Sequence, residues 1–156
     1  MARKLEITNL RYAYDTIDAI DNISLHVDEG EFVGVIGPNG CGKSTTLKCV
    51  YGALKPREGT ITLDGGDLAA LSARERAAKI AVVGQDSEIT FDFAVREIVA
   101  MGRNPHKRLF ESDNPEDKSI VSDALGKVGM AEFAQRGFRS LSGGEKQRVL
   151  IARAIA

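Results

Sequence analysis

The stretch 31-EFVGVIGPNGCGKSTTLKCV-50 joins a short apolar run to glycines, a lysine and hydroxyl residues. Residues 31–36 form an apolar run of strand length, and the apolar spacing after Lys43 is typical of a helix. The glycines therefore lie where a predicted strand turns into a predicted helix. This order of elements decides what the loop is expected to bind.

The glycine-rich loop has the composition of a polyphosphate site. Gly37, Gly40 and Gly42 permit tight backbone turns and carry no Cβ, so that successive N–H groups can face phosphate oxygens. The following helix adds its unpaired N-terminal donors and the positive end of its dipole. Lys43 can supply a charge for the terminal phosphates, and the Ser44 hydroxyl can ligate a Mg²⁺ that bridges two of them. The spacing G-x-x-x-x-G-K-S favours nucleotide binding over an ordinary glycine loop.

Composition narrows the class of protein. The 156 residues are enough for about one domain, and 43% apolar residues are enough for a core. A net charge of −1, without a basic block, gives no indication of nucleic acid as the principal partner. Cys41 and Cys49 make neither a disulfide framework nor a metal cluster, which favours a reducing compartment. No apolar run approaches the roughly 20 residues that cross a bilayer, so we expect membrane contact through a partner.

The chain changes from strand-rich to helix-rich patterns near residue 87. In the second part, Asn114 as N-cap, Pro115 in the first turn and Gly129 near the end delimit one predicted helix. We therefore predict a nucleotide-binding core over residues 1–86 and a helical insertion over 87–140. Predicted strands are 4–14, 23–28, 31–36, 57–63 and 80–85, and predicted helices are 43–54, 72–79, 91–102, 114–129 and 143–156.

A second helix start with features of an anion site lies in 139-RSLSGGEKQRVLIARAIA-156. Ser142 is placed as N-cap, and Gly143 and Gly144 open the backbone before an apolar helical face. Ser-Gly-Gly before a helix is first of all a good cap. Taken alone, this segment leaves its function open.

Together with the phosphate loop, the segment resembles the signature of the ATP-binding subunits of ABC transporters. Leu-Ser-Gly-Gly-Gln of that family stands here as Leu141, Ser142, Gly143, Gly144 and Glu145, with glutamate as a variation in the last position. The resemblance covers the whole chain. The strings VREIVAMGRNPH and LSGGEKQRVLIARAIA look most like the subfamily that imports ferric siderophores, haem or cobalamin in prokaryotes.

The resemblance implies further site residues. NLRYAY resembles the segment whose aromatic residue, here Tyr14, stacks on adenine, and VVGQD resembles the loop whose glutamine, here Gln85, meets Mg²⁺ and the attacking water. Tyr14 also fits a half-buried strand tyrosine, and Gln85 a polar strand end. The resemblance makes Lys43 and Gln85 catalytic and places Ser44 and Gln85 on Mg²⁺. The implied ATP-binding set is Tyr14, Gly37, Pro38, Asn39, Gly40, Cys41, Gly42, Lys43, Ser44 and Thr45.

The family also implies a fold and an assembly. We expect an α/β fold, with a P-loop NTPase (RecA-like) core, antiparallel strands at the N-terminus, an inserted α-helical subdomain and the signature helix over 141–156. ATP and Mg²⁺ are the implied cofactors. The implied partners are a second copy, head to tail, whose signature completes each ATP site, then membrane permease subunits and, indirectly, an extracytoplasmic substrate-binding protein. The implied location is the cytoplasmic face of a prokaryotic inner membrane.

Two alternatives remain: a non-transport ABC-type ATPase, and an ATP-binding fragment without turnover. The last residues, LIARAIA, stop in the middle of a helical pattern without a cap. Family members continue into a strand with a Mg²⁺-binding aspartate and a glutamate base, followed by a histidine. We therefore expect an N-terminal fragment that lacks ATPase activity by itself and self-associates.

Residues 64–67 and residues 91–93 give two further predictions. Asp64-Gly65-Gly66-Asp67 has the composition of a turn more than of a metal site. Phe91 and Phe93 flank Asp92 shortly after Gln85, as anchors of a partner surface would, although both rings also suit packing onto the core.

Overall fold

The computed structural model describes residues 3–84, 91–108 and 111–156. The chain forms two compact units, Met1–Ile80 and Ala81–Ala156. Each unit has its own cluster of buried apolar side chains. Every helix in the described ranges is too short or too polar to cross a membrane.

An antiparallel sheet forms the first unit. Its described strands are β1 (Arg3–Tyr14), β2 (Ile17–Asp28), β3 (Glu58–Leu63) and β4 (Gly66–Asp67). They lie in the order β2-β1-β3-β4, and every neighbouring pair is antiparallel. The unit also contains α1 (Lys43–Val50) and α2 (Ala73–Ala77). These elements confirm the predicted N-terminal strands and the helix after the phosphate loop.

A bulge in β1 lets two large side chains face the same core. Ile7 and Leu10 are both buried although they lie three residues apart, because the pairing register shifts between them. Asn9, inside the bulge, has a φ of +50°. Strict alternation would have sent one of the two outward. The core they join also holds Ile20, Cys49, Ile61 and Leu68.

The Asp64–Asp67 segment is a turn, as predicted. Asp64 and Gly65 connect β3 to β4 with φ values of +52° and +76°. The side chain of Asp67 then accepts a hydrogen bond from the Ala69 N–H at 2.8 Å and caps the short 3₁₀ helix that follows. Asp67 therefore belongs to local backbone geometry, and the Asp64 side chain pairs with the Lys4 ammonium group at 2.8 Å.

The strand predicted over residues 31–36 is wrong for the described chain. Residues 31–38 have no regular secondary structure, and the side chains of Phe32 and Ile36 are 97% and 94% exposed. The run predicted as a strand from residue 80 also has no ladder over 80–84. A strand needs a neighbour that pairs with its N–H and C=O groups, and an apolar run does not supply one.

Three helices pack pairwise in the second unit: α3 (Val95–Ala100), α4 (Pro115–Lys127) and α5 (Gly143–Ile155). Asn114 caps α4 and Pro115 lies in its first turn, as predicted. Gly129 follows the helix with a φ of +67°, a conformation that suits glycine. The core between the helices contains Val95, Ile98, Val99, Val121, Ala124, Leu125, Met130, Phe138, Leu141, Val149, Leu150 and Ala152.

Backbone hydrogen bonds join the start of α3 and the residues just before it to the segment before α5. The Val95 N–H donates to the Arg136 carbonyl at 3.0 Å, and the Phe138 N–H donates to the Phe93 carbonyl at 2.9 Å. Phe138 and Leu141 are buried beyond this joint. The start of α5 is thereby fixed to the core of its unit.

A buried ionic cluster lies beside α4. The Arg103 Nε donates to Asp117 Oδ1 at 3.0 Å, and its Nη1 donates to the Ala156 carbonyl at 2.7 Å. Lys107, itself buried, pairs with Asp113 and lies 3.9 Å from Asp117 Oδ2. The Arg103 hydrogen bond is the main cause that holds the pKa of Asp117 below its ordinary value, against the opposing effect of burial.

Candidate functional site

The phosphate loop turns through glycines that no other residue could easily replace. Gly40 and Gly42 have φ values of +84° and +88°, in the left-handed region. A Cβ on Gly42 would lie 2.5 Å from the Ala19 carbonyl oxygen, and a Cβ on Gly37 would lie 2.7 Å from the Cys41 Sγ. The loop therefore approaches β2 at a distance that only glycine permits. Sequence reasoning missed Ala19, because a carbonyl contact leaves no side-chain signal.

Lys43 lies with its ammonium group folded over this loop. Its Nζ donates to the carbonyl oxygens of Gly37 at 2.8 Å and Pro38 at 2.6 Å, and lies 3.6 Å from the Cys41 Sγ. The lysine is the first residue of α1, so its charge adds to the positive end of that helix. The arrangement concentrates positive charge inside the loop.

Among the α-helices of the described ranges, α1 alone combines an N-cap residue without a side-chain cap, here Gly42, with a first turn without an acidic residue. Helix α3 also lacks a side-chain cap at Ala94 but has Glu97 in its first turn. Ser72, Asn114 and Ser142 instead cap α2, α4 and α5 with side-chain oxygens. The first N–H groups of α1 therefore lack the side-chain acceptor that those helices have, which suits an anionic ligand.

The three hydroxyl residues at the start of α1 have different surroundings. Thr46 Oγ1 donates to the Gly42 carbonyl at 2.9 Å, and both Thr45 and Thr46 are buried. Ser44 is exposed. Ser44 is thus the hydroxyl of this set that a metal ion could reach from outside.

These residues fit a magnesium-bound polyphosphate. The loop offers left-handed glycines, one ammonium group and an uncapped helix start, and Ser44 offers a hard oxygen ligand. No group of three or more His, Cys, Asp or Glu side chains within the described ranges is arranged to hold a metal ion. Gln85, the second residue predicted on Mg²⁺, and Asp86 beside it lie outside the described residues.

Tyr14 lies at the end of β1 on an exposed apolar edge. The Tyr14 side chain is 44% exposed, and its register partner Ile17 is 72% exposed. The Tyr12 ring packs edge-on against Tyr14, with 4.9 Å between the ring centroids. Ala19, the residue in contact with the phosphate loop, is two positions along β2 from Ile17. An aromatic edge therefore adjoins the loop within the first unit.

The signature segment begins α5 with a reciprocal cap. Ser142 Oγ accepts from the Glu145 N–H at 3.4 Å, and the Glu145 carboxylate accepts from the Ser142 N–H and hydroxyl, each at 2.7 Å. The hydroxyl hydrogen bond is the largest cause of a lowered pKa for Glu145. Leu141 is buried and anchors the segment. The structure therefore places Glu145 in a capping box.

Packing against the described residues does not require glycine at positions 143 and 144. A Cβ built on either residue meets nothing within 4 Å, and neither has a positive φ. Alanine would fit both positions and favour the helix. The start of α5 therefore has open space beside both glycines in the described structure.

The chain matches the family model described as ABC transporter over residues 20–156. This match covers far more than half of the sequence. The chain belongs to the ABC transporter family. Its antiparallel N-terminal sheet, P-loop and helical unit confirm the predicted fold, which is that of the nucleotide-binding domains of this family.

Relatives of this ABC transporter domain include import proteins. The chain is 43% identical over 152 residues to the cobalamin import ATP-binding protein BtuD of Halobacterium salinarum. The aligned region covers 97% of this chain and 38% of that relative. The chain is 44% identical over 137 residues to the hemin import ATP-binding protein HmuV of Gloeobacter violaceus, with 88% and 49% covered. The chain thus spans half or less of the length of these two curated relatives.

Solved structures give the same family. A putative metal-chelate type ABC transporter in an inward-facing conformation matches with a TM-score of 0.83 and 33% identity, over 99% of this chain and 56% of that chain. The structure of cbiO1 from Clostridium perfringens, part of the ABC transporter complex cbiONQ, matches with a TM-score of 0.85 and 28% identity, over 99% and 61%.

Proposed function

We propose that this chain belongs to the ATP-binding and ATP-hydrolysing subunit that energises an ABC importer. The observation that carries the proposal is the Lys43 ammonium group, held 2.8 Å and 2.6 Å from loop carbonyls at a helix start without a side-chain cap. A cation in that place has a polyanion as its natural ligand. Membership of the ABC transporter family supports ATP as that ligand.

Each residue of the loop has a distinct part in binding. Lys43 exchanges its carbonyl partners for terminal phosphate oxygens, while the backbone N–H groups after Gly40 and Gly42 hold the inner phosphates. Ser44 is the ligand from this chain to Mg²⁺, and Gln85 is proposed as its partner toward the attacking water. When bound, Mg²⁺ neutralises phosphate charge and orients the terminal phosphate.

The tyrosine edge completes the nucleotide site on this chain. The exposed face of Tyr14 is a platform for adenine, because nucleobases stack on aromatic rings without a demand for specific hydrogen bonds. The Tyr12 ring packs edge-on against the Tyr14 ring, with 4.9 Å between the ring centroids. Tyr14 thereby binds the base, and the loop binds the phosphates.

The open glycines of the signature support a head-to-tail homodimer. Gly143 and Gly144 leave room above the start of α5, where the terminal phosphate held by the second copy's loop would approach. The further proposed partners are permease subunits at the cytoplasmic face of the membrane and, indirectly, an extracytoplasmic binding protein. The import proteins among the relatives support this assembly.

For the cargo, we propose an iron siderophore, haem or cobalamin. Relatives named for cobalamin and hemin import support this class, and so does the likeness to a metal-chelate type transporter. A zinc uptake protein, ZurA of Listeria innocua, is also 41% identical over 158 residues. Reconstitution with the permease and separate binding proteins loaded with each cargo distinguishes them, since the true cargo stimulates ATP hydrolysis.

Calorimetric titration of MgATP tests the nucleotide site. Lys43→Ala is expected to weaken binding about a hundredfold, because it removes the charge that faces the terminal phosphates. Lys48→Ala, an exposed lysine in the last turn of the same helix, is the matched control and is expected to bind like the parent. Unchanged affinity in Lys43→Ala would contradict the proposal.

A further inference from the structure

The tip of the β1–β2 hairpin contains a turn that needs support. Asp15 and Thr16 connect Tyr14 to Ile17, and Asp15 has a φ of +50°. The left-handed region is strained for a residue other than glycine, although aspartate tolerates it better than most. Tyr14 is the last residue of β1 and is joined directly to this turn.

Arg57, which is distant in the sequence, forms a hydrogen bond to this turn. Its Nη2 donates to the Asp15 carbonyl oxygen at 2.5 Å across 42 residues of sequence. Its backbone N–H donates to the Arg11 carbonyl at 2.9 Å. Arg57 thus binds Arg11 in β1 and Asp15 in the turn, on either side of the segment that contains Tyr12 and Tyr14.

The same hairpin is fixed to the phosphate loop on its other strand. The Ala19 carbonyl of β2 lies against Gly42, and Ile17, two residues earlier, pairs with Tyr14. The loop contact and the Arg57 bond therefore constrain the hairpin from two sides. A rigid tip keeps the Tyr14 ring at a constant distance from the loop that holds phosphates.

We propose that Arg57 is a positioning residue for the nucleobase, and that it acts through the Asp15 turn on the Tyr14 ring. This inference rests on the proposed function, in which Tyr14 stacks on the base. Loss of the Arg57 hydrogen bond releases the turn, and the base must then order the ring as it binds. A ligand that consists of phosphates alone does not reach the tip, so its affinity is independent of this bond.

Paired titrations with MgATP and with magnesium tripolyphosphate test the inference. Arg57→Ala is expected to weaken MgATP binding about threefold to tenfold, as for loss of one solvent-exposed hydrogen bond, and to leave tripolyphosphate binding unchanged. Arg11→Ala is the control, because Arg11 pairs with Asp21 and Glu58 in the same sheet without a side-chain bond to the turn. It is expected to bind both ligands like the parent.

Two results overturn the inference. Equal weakening of both ligands in Arg57→Ala shows a general effect of charge or folding, and unchanged MgATP affinity shows that the bond does not matter. The double variant Tyr14→Ala/Arg57→Ala adds a stricter criterion. It is expected to bind MgATP no more weakly than Tyr14→Ala, and additive losses would mean that Arg57 acts separately from the ring.

Tyr14→Ala separates this inference from the function on which it rests. If Tyr14→Ala binds MgATP with normal affinity, Tyr14 does not stack on the base, and both proposals for this edge are overturned. A weakened affinity in Tyr14→Ala with a normal one in Arg57→Ala leaves the platform in place and overturns only the role of Arg57.

Discussion

The Glu145 carboxylate accepts two hydrogen bonds from Ser142, one from its N–H and one from its hydroxyl, each 2.7 Å long. This pair is a capping box, a motif in which glutamate and glutamine serve equally at the third helical position. The glutamate at this point of the signature is therefore compatible with the local geometry. Its negative charge at a helix N-terminus is also favourable.

The cap is expected to stabilise the signature helix measurably. Ser142→Ala removes the acceptor for the Glu145 N–H and should lower the free energy of unfolding by about 1 kcal/mol. Urea denaturation measures the change. Ser119→Ala, an exposed position inside α4, is the matched control and should change stability little, because alanine suits a helix interior. Equal losses in both variants would show that the cap contributes nothing.

The ionic cluster around Asp117 is expected to make stability depend on acid pH. The hydrogen bond from Arg103 lowers the pKa of Asp117 in the folded state, so the folded carboxylate resists protonation. Its contribution is complete above the ordinary aspartate pKa of about 3.9 and is lost as the pH falls through the lower folded value. The free energy of unfolding should therefore fall as the pH is lowered below about 4.

Urea denaturation at several pH values between neutral and acid measures this slope. Asp117→Asn should be less stable than the parent at neutral pH, and should lose less stability on acidification. Ser119→Ala, on the same helix, should keep the parental pH dependence. A parental slope in Asp117→Asn would assign the acid sensitivity to other carboxylates, such as Glu75 or Glu145, whose pKa values Ser72 and Ser142 also lower.

Local signals in the sequence were enough for elements that depend on local interactions. The Asn114 cap, the Pro115 start and the Ser142 cap each act within three residues of their partners, and each was predicted correctly. The spacing of the glycines from Gly37 to Gly42 likewise predicted the loop that these residues form. Such features are readable because the interacting groups are neighbours along the chain.

Contacts between distant residues could not be predicted in this way. Arg57 reaches Asp15 across 42 residues, and Arg103 reaches Asp117 across 14 residues, without a repeated pattern that links them. The run at 31–36 failed for the same reason, since a ladder depends on a partner elsewhere in the chain. An apolar run indicates only that a segment is suited to burial. Whether the segment forms a strand depends on the residues that pack and pair with it.

The two cysteines are expected to react at very different rates. Cys41 is exposed in the phosphate loop, whereas Cys49 is buried in the core of the first unit. Burial also raises the pKa of the Cys49 thiol, which lowers its thiolate fraction. A thiol reagent such as DTNB should label one cysteine in the folded protein and two in urea. Cys41→Ser should abolish the fast reaction, and fast labelling in that variant would contradict the burial of Cys49.

Substitutions of Phe91 and Phe93 are expected to show which ring packs onto the core and which one is available to a partner. Phe91 is 72% exposed, whereas Phe93 is partly buried against the core of the second unit, with 6.1 Å between the two ring centroids. Phe93→Ala should therefore cost about 2 kcal/mol of stability, less than for a fully buried phenylalanine. Phe91→Ala should change stability by less than about 0.5 kcal/mol.

The proposed contact with the permease is then tested at Phe91. A photo-reactive amino acid in place of Phe91 should cross-link to the permease in the assembled transporter, because exposed aromatic residues are frequent anchors of protein interfaces. The same group in place of Ile155, a 49% exposed residue at the end of α5, is the control. Cross-linking from Ile155 without cross-linking from Phe91 would place the permease on a different face of this unit. Cross-linking from Phe91, together with a stable Phe91→Ala variant that binds the permease weakly, would assign the ring to the partner surface.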